Sequence, residues 1–240
     1  MSLGFLNKSL IGGEKTWEGL FAYYRLNGDV KDSVGGLDGI TTTTHLFENG
    51  KNGLCSVFNM NDTEKIRIPH SSPFSFTDGV QDKPFSISFW VKFKTYKNQW
   101  IISKRDGNSS NTEWQIILYK NKIGIYLFGS NSGPRYIGVT LNTLPSINEW
   151  HHLIITYDAS NVSSGLKWYL DGVPNLGGTS IDLNYTNMET TNSLITLGRA
   201  GSWGGFNMNG RLDGVGFWNK ELTPQEVVEI YNYQLFNELI

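Results

Sequence analysis

The 240 residues include a single cysteine, so no internal disulfide can form. None is needed, because a chain of this length can bury roughly 70–75% of its unfolded surface. Cys55 follows Gly53-Leu54 in an apolar stretch and reads as a small core residue rather than a reactive thiol. Charge is also scarce. Charged residues make up 18%, the formal net charge is −2, and Lys and Arg are scattered without a basic run. That pattern is neither a nucleic-acid footprint nor an acidic tail. No apolar run approaches the ~18 residues of a membrane-spanning helix. Met1 to Lys8 lacks a charged segment followed by a long apolar one, so no signal peptide is expected. A cytoplasmic protein, a fragment of a secreted one and a virion component all fit; the reading adopted is the extracellular space or a virion surface. Helical periodicity is missing between the strand-like segments, which excludes a βαβ sheet.

The chain is instead rich in glycine, 27 residues, and in aromatics, 13% with eight tryptophans. Short strands joined by tight turns suit both. Trp17 to Tyr24 reads as a strand ended by Asn27-Gly28-Asp29. Leu54 to Phe58 and Lys65 to Ile68 are short strands around a polar loop. Ser86 to Phe93 alternates most clearly: Ile87, Phe89, Val91 and Phe93 share one face, and Ser86, Ser88, Trp90 and Lys92 the other. Trp90 therefore needs its own cover or lines a concave surface. Trp100 to Ser103, Trp114 to Tyr119, Ile123 to Phe128, His152 to Tyr157, Leu166 to Leu170, Leu194 to Leu197 and Arg211 to Trp218 complete the strands. Lys120-Asn121-Lys122 and Asp171-Gly172 are hairpin turns. The one helix predicted lies near the end, where Thr223-Pro224-Gln225-Glu226 forms a capping box with proline at the first helical position. No internal repeat or low-complexity linker divides the chain. Residues 17–240 read as one domain, with residues 1–16 as an attachment arm.

These segments together resemble a known family. Leu20 to Asp29 followed by Asp32-Ser33, Phe85 to Lys92, Trp150 to Asp158, Leu170-Asp171-Gly172, and Gly210 to Trp218 with Leu222-Thr223 resemble, in order, the landmarks of laminin-G-like jelly rolls. Those belong to the concanavalin A-like lectin/glucanase superfamily, and the likeness covers about residues 20–232. It implies an all-β, antiparallel two-sheet jelly-roll sandwich with one short C-terminal helix. It leaves function open, since the fold hosts lectins, adhesion domains, carbohydrate-binding modules and glycosidases.

A retaining glucanase needs two carboxylates ~5–5.5 Å apart, which a strand supplies as Glu-x-Asp-x-Glu because alternate residues share a face. That motif is missing, and Glu113 has no acidic partner two or four residues away. His151 and His152 are adjacent and face opposite ways, one packed inside and one exposed, so a shared metal is not expected. His45 and His70 lie in loops. No Gly-x-Ser-x-Gly elbow supports a serine nucleophile. The chain is therefore read as non-catalytic. The resemblance implies a structural Ca²⁺ at the sandwich rim in many members. Its ligands here would be Asp213, Asn59 and Asp62, with Asn59 and Met60 standing where the family usually has Asp and Gly. Ca²⁺ takes six to eight oxygens, several of them anionic, so the missing carboxylate weakens the site. The alternative is that Asp213 simply bonds backbone amides in a bulge beside Gly214.

Sugars are recognised by aromatic stacking and a few convergent polar groups. Trp203, flanked by glycines, is the leading candidate platform, with Phe206 close behind; Trp100, and Tyr136 beside Arg135, are weaker ones. Each could instead be core. Trp150, Trp168 and Trp218 are assigned to packing. The resulting expectation is a lectin-like module for cell-surface or polysaccharide glycans. The alternatives are a structural or adhesion component of an assembly such as a bacteriophage virion, joined to its neighbours through the N-terminal arm, and, last, a glycosidase.

Overall fold

The computed structural model describes residues 18–41, 44–60, 65–106, 111–129, 134–199 and 206–236. In chain order its strands are β1 (Leu20–Tyr24), β2 (Ile40–Thr41), β3 (Phe47–Asn49), β4 (Leu54–Asn59), β5 (Ile66–Ile68), β6 (Phe85–Phe93), β7 (Gln99–Arg105) and β8 (Thr112–Tyr119). They continue as β9 (Lys122–Phe128), β10 (Tyr136–Thr140), β11 (His151–Tyr157), β12 (Leu166–Leu170), β13 (Val173–Pro174), β14 (Ser180–Leu183), β15 (Ile195–Leu197) and β16 (Asn209–Trp218). One helix, α1 (Pro224–Phe236), follows.

All ladders are antiparallel and form two sheets. Sheet A runs β13-β12-β11-β6-β16-β4-β3, with β1 also on β16; sheet B runs β14-β10-β9-β8-β7-β15-β5-β2. Strand β16 pairs with β6 along one edge. Its other edge is shared, β4 taking residues 209–212 and β1 taking residues 215–218. A jelly-roll sandwich of two sheets with a short C-terminal helix is thus what the chain forms.

The core lies between the sheets. Period-two alternation sends Phe85, Ile87, Phe89, Val91 and Phe93 of β6 into it, facing Trp114, Ile116 and Leu118 of β8 and Ile123, Ile125 and Leu127 of β9. Cys55 and Trp168 are buried, and burial pushes the Cys55 thiol up to about 12, which keeps it unreactive. Both expected hairpins form. Lys120 and Asn121 have φ of 49° and 57°, and Asp171 and Gly172 have 52° and 77°, the left-handed pairs that match strand twist.

The other face of β6 is covered by α1. Its start is the expected capping box: Glu226 N–H donates to Thr223 Oγ1 at 3.2 Å, and Thr223 N–H donates to Glu226 Oε2 at 2.9 Å. Val227 and Ile230 then pack on Tyr23, Ile154, Tyr169 and Trp218. Trp90 finds its cover here, with its ring 5.0 Å from His152 and 5.9 Å from Tyr231. Of the two adjacent histidines, His152 is the one packed inside, under the helix, while His151 keeps 16% of its side chain exposed.

Candidate functional site

No described helix lies on the outer face of sheet B. Because Trp114, Ile116 and Leu118 point inward, Glu113, Gln115, Ile117 and Tyr119 point out, and the ladders carry that parity across the sheet. One register row follows from the pairings: Arg67, Thr196, Ser103, Gln115, Tyr126, Gly138 and Ile181, one residue from each of seven adjacent strands. At about 4.8 Å per strand this row spans about 29 Å.

Polar groups occupy its first half, where Ser103, Thr196 and Gln115 are buried and Arg67 is partly exposed. Ser103 Oγ lies 3.0 Å from Thr196 Oγ1, and Arg105 Nη1 donates to Gln115 Oε1 at 3.1 Å. The Arg105 guanidinium also lies over the Trp100 ring, 4.9 Å from its centroid. Aromatic groups occupy the second half. Tyr126, Phe128 and Tyr136 are half-buried, with the Tyr126 and Phe128 rings 6.1 Å and 5.7 Å from that of Tyr136. The Tyr126 ring lies low on the sheet because glycine leaves room for it. A Cβ on Gly138 would sit 2.4 Å from Tyr126 Cδ1, and one on Gly124 3.0 Å from its Cε2. Burial raises the Tyr126 hydroxyl above the usual phenol range, so it stays a neutral donor and acceptor. Arg135 stands half-exposed beside this cluster.

Two of the sequence candidates, Tyr136 and Trp100, therefore fall on one face, and Tyr136 is accessible on it. Arg135 is partly exposed, with its Cβ on the side of Gly129 and Tyr185. Trp100 is corrected: it is 5% exposed, packed with Ile117 and Tyr126 beneath Arg105, and is no open platform. Phe206 packs edge-on against Tyr119 at the end of β8, 41% exposed at an open cleft of about 620 Å³ lined also by Met60, Thr95, Tyr96, Lys97, Asn98 and Asn121. Trp203 and Asp62 lie outside the described residues. Tyr126 and Phe128 were legible only as strand residues; the signal for them was the outward parity of β9 beside two glycines.

The expected calcium ligands do not converge. Asn59 pairs with Asn209, four residues before Asp213 on β16, which sets their backbones about 13 Å apart. Ca²⁺–oxygen contacts of about 2.3–2.6 Å cannot bridge that span with two short side chains. Asp213 instead accepts the backbone N–H of Lys51 at 2.8 Å and of Asn52 at 3.2 Å, beside the bulge between Asp213 and Gly216. Among the described residues no cluster of three His, Cys, Asp or Glu could hold a metal.

The described buried acids have structural bonds. Glu113 pairs with Lys104 at 2.5 Å, both fully buried, and accepts Thr191 N–H at 2.7 Å. Asp82 accepts from Tyr157 at 2.9 Å, Tyr185 at 2.6 Å and Met188 N–H at 2.6 Å. One serine–histidine–aspartate array exists: Ser146 Oγ lies 2.8 Å from His151 Nε2, and His151 Nδ1 2.8 Å from Asp171 Oδ2. Ser146 Oγ also donates to Glu149, which competes with His151 for the single hydroxyl proton. Asp171 also accepts His152 N–H at 2.8 Å, which makes the array a clamp between a loop and the β12–β13 hairpin.

Several solved structures share this architecture. The binding domain of Paraclostridial Mosquitocidal Protein 1 matches with a TM-score of 0.70 at 18% identity, over 89% of this chain and 52% of that one. The botulinum neurotoxin serotype G binding domain matches with 0.66 at 20%, over 88% and 50%. Domain 4 of AbnA, a GH43 extracellular arabinanase from Geobacillus stearothermophilus solved in complex with arabinotriose, matches with 0.58 at 22%, over 88% and 98%. The chain thus spans about half the length of the toxin binding domains and nearly the whole of the arabinanase domain. Among curated proteins nothing matches. The family model of the concanavalin A-like lectin/glucanases superfamily matches residues 61–228, well over half of the chain, and with the two-sheet sandwich in place the protein belongs to that superfamily.

Proposed function

We propose that this chain is a non-catalytic carbohydrate-binding module that holds a glycan chain across the outer face of sheet B. The observation that carries this is the aromatic cluster of Tyr126, Phe128 and Tyr136 on the outer face, with the partly exposed Arg67 four strands away in the register row of Tyr126, about 19 Å along the sheet. A flat, long surface of stacking faces and hydrogen-bonding groups suits an extended saccharide better than a compact molecule. The arabinotriose complex of the similar arabinanase domain supports a sugar ligand. The bonds of Glu113 and Asp82, and the competition of Glu149 for the Ser146 proton, favour binding over turnover.

The test is affinity electrophoresis against a panel of soluble polysaccharides, with Tyr126→Ala and Tyr136→Ala as variants. Retardation by at least one polysaccharide, weakened about tenfold in each variant, is expected, as for loss of a stacking contact. No retardation by any of them, or retardation untouched by either substitution, overturns the proposal.

A further inference from the structure

At the Phe206 cleft two bulky side chains are held outward by unusual backbone. Phe206 has φ 55° and Met60 has φ 63°, the left-handed region that costs a branched or bulky residue strain. Both remain largely exposed, at 41% and 39%. The surroundings lock these conformations. Phe206 C=O accepts Trp100 N–H at 2.7 Å, and Met60 N–H donates to Met208 C=O at 2.8 Å. The Phe206 ring meets Tyr119 edge-on at 6.1 Å, which leaves a face open. Folding gains little from displaying two apolar groups in strained backbone, so a ligand is the reasonable beneficiary.

The polar lining narrows the ligand class. Lys97 and Asn121 are exposed, and neither side chain has a hydrogen-bond or ion-pair partner among the described residues. Asn98 Oδ1 is occupied by Lys120 N–H at 2.8 Å, which leaves its NH₂ to donate. Among the described residues the lining is therefore rich in donors, carries one cation and includes no carboxylate. Its volume of about 620 Å³ accepts a small saccharide. We infer that this cleft, at the β8–β9 turn end of sheet B and distinct from the Tyr126–Tyr136 cluster, is a second binding site that takes a sugar ring bearing an anionic group, stacked on Phe206 and paired with Lys97.

The experiment is amide chemical-shift mapping of the full chain with methyl β-D-glucuronopyranoside and, separately, methyl β-D-glucopyranoside. The amides of Lys97, Asn98, Asn121 and Phe206 should move with the glucuronoside, and its affinity should fall about threefold between low and physiological salt. Lys97→Gln should weaken the glucuronoside about fivefold, remove that salt dependence and leave the glucoside unchanged. Phe206→Ala should weaken both sugars about tenfold, and Phe206→Tyr should restore them. Unchanged melting of Phe206→Ala confirms that folding is intact; a collapsed melt transfers the test to the Tyr variant and Lys97→Gln. Equal binding of the two sugars, insensitive to Lys97→Gln, overturns the anionic assignment, and no movement at these amides with either sugar overturns the site. Because Phe206→Ala leaves Tyr126 and Tyr136 in place, polysaccharide retardation on the sheet-B face persists or fails independently of this result.

Discussion

The two sheets turn the same kind of alternating strand outward and meet different fates. The outer face of sheet A is sealed: Trp218 is fully buried under α1 with Tyr23 and Tyr169. Among the described residues no helix lies on the outer face of sheet B, and Tyr126, Phe128 and Tyr136 remain half-buried there. An aromatic residue on a strand is thus scaffold or ligand platform according to what the chain lays over it, and one amphipathic helix decides the matter here. Sheet A's face should answer to substitution in stability, and sheet B's in binding.

The largest effect is expected on the sealed side. Trp218→Ala should cost about 3–5 kcal/mol in urea unfolding, because the helix cannot fill the hole. It should leave polysaccharide retardation unchanged wherever the variant is folded. A loss below about 1 kcal/mol would mean that α1 is not firmly docked. On the open side Gly138→Ala sharpens the contrast. Its new Cβ would meet Tyr126 Cδ1 at 2.4 Å and the Ile125 carbonyl at 2.8 Å, so the ring must lift from the sheet. About 1–3 kcal/mol of destabilisation is expected, together with weakened retardation. Retained binding at reduced stability would detach the glycine-cleared ring from the ligand.

The smallest effect concerns Asp82, which joins Tyr157 of sheet A to Tyr185 and Met188 in the connection after β14 of sheet B. Burial raises its carboxyl above the usual carboxylate range, although the three donated bonds oppose the shift. The folded state therefore binds the proton more readily than the unfolded one. This group's stabilising contribution is complete below the unfolded value and is lost as pH rises through the folded value. Asp82→Asn cannot ionise. Between about pH 4 and pH 7 the parent should lose stability relative to this variant, as read from urea unfolding at both ends. Parallel pH profiles would rule the linkage out.

Much of the fold was legible because it rests on local rules. Ile87 to Phe93 alternates without interruption, Asp171-Gly172 and Lys120-Asn121 tolerate positive φ, and Thr223 with Glu226 marks the helix start. The strands that escaped notice are short or irregular. β10 contains Gly138, which reads as a breaker, and β2, β3, β13 and β14 have two to four residues. Such strands are specified by their partners rather than by their own composition. The candidate site was legible in part. Tyr136, Arg135 and Phe206 stand out beside turns, whereas Trp100 looked open because its cover, Arg105, belongs to the same strand and reaches it only through side-chain packing. The Asp213–Asn59 pairing failed for a similar reason: nothing in composition states that β4 and β16 are aligned four residues out of step for a shared ion.

The placement of β16 also bears on biosynthesis. It lies inside sheet A, with β6 along one side and β4 and β1 along the other, yet among the described strands of the two sheets it is synthesised last. Until residue 218 has emerged, one edge each of β6 and β4 and the pairing edge of β1 stand open. Closure of this sheet is then a late, long-range event that local nucleation cannot hasten, and nascent chains stopped short of it would display sticky, unpaired backbone.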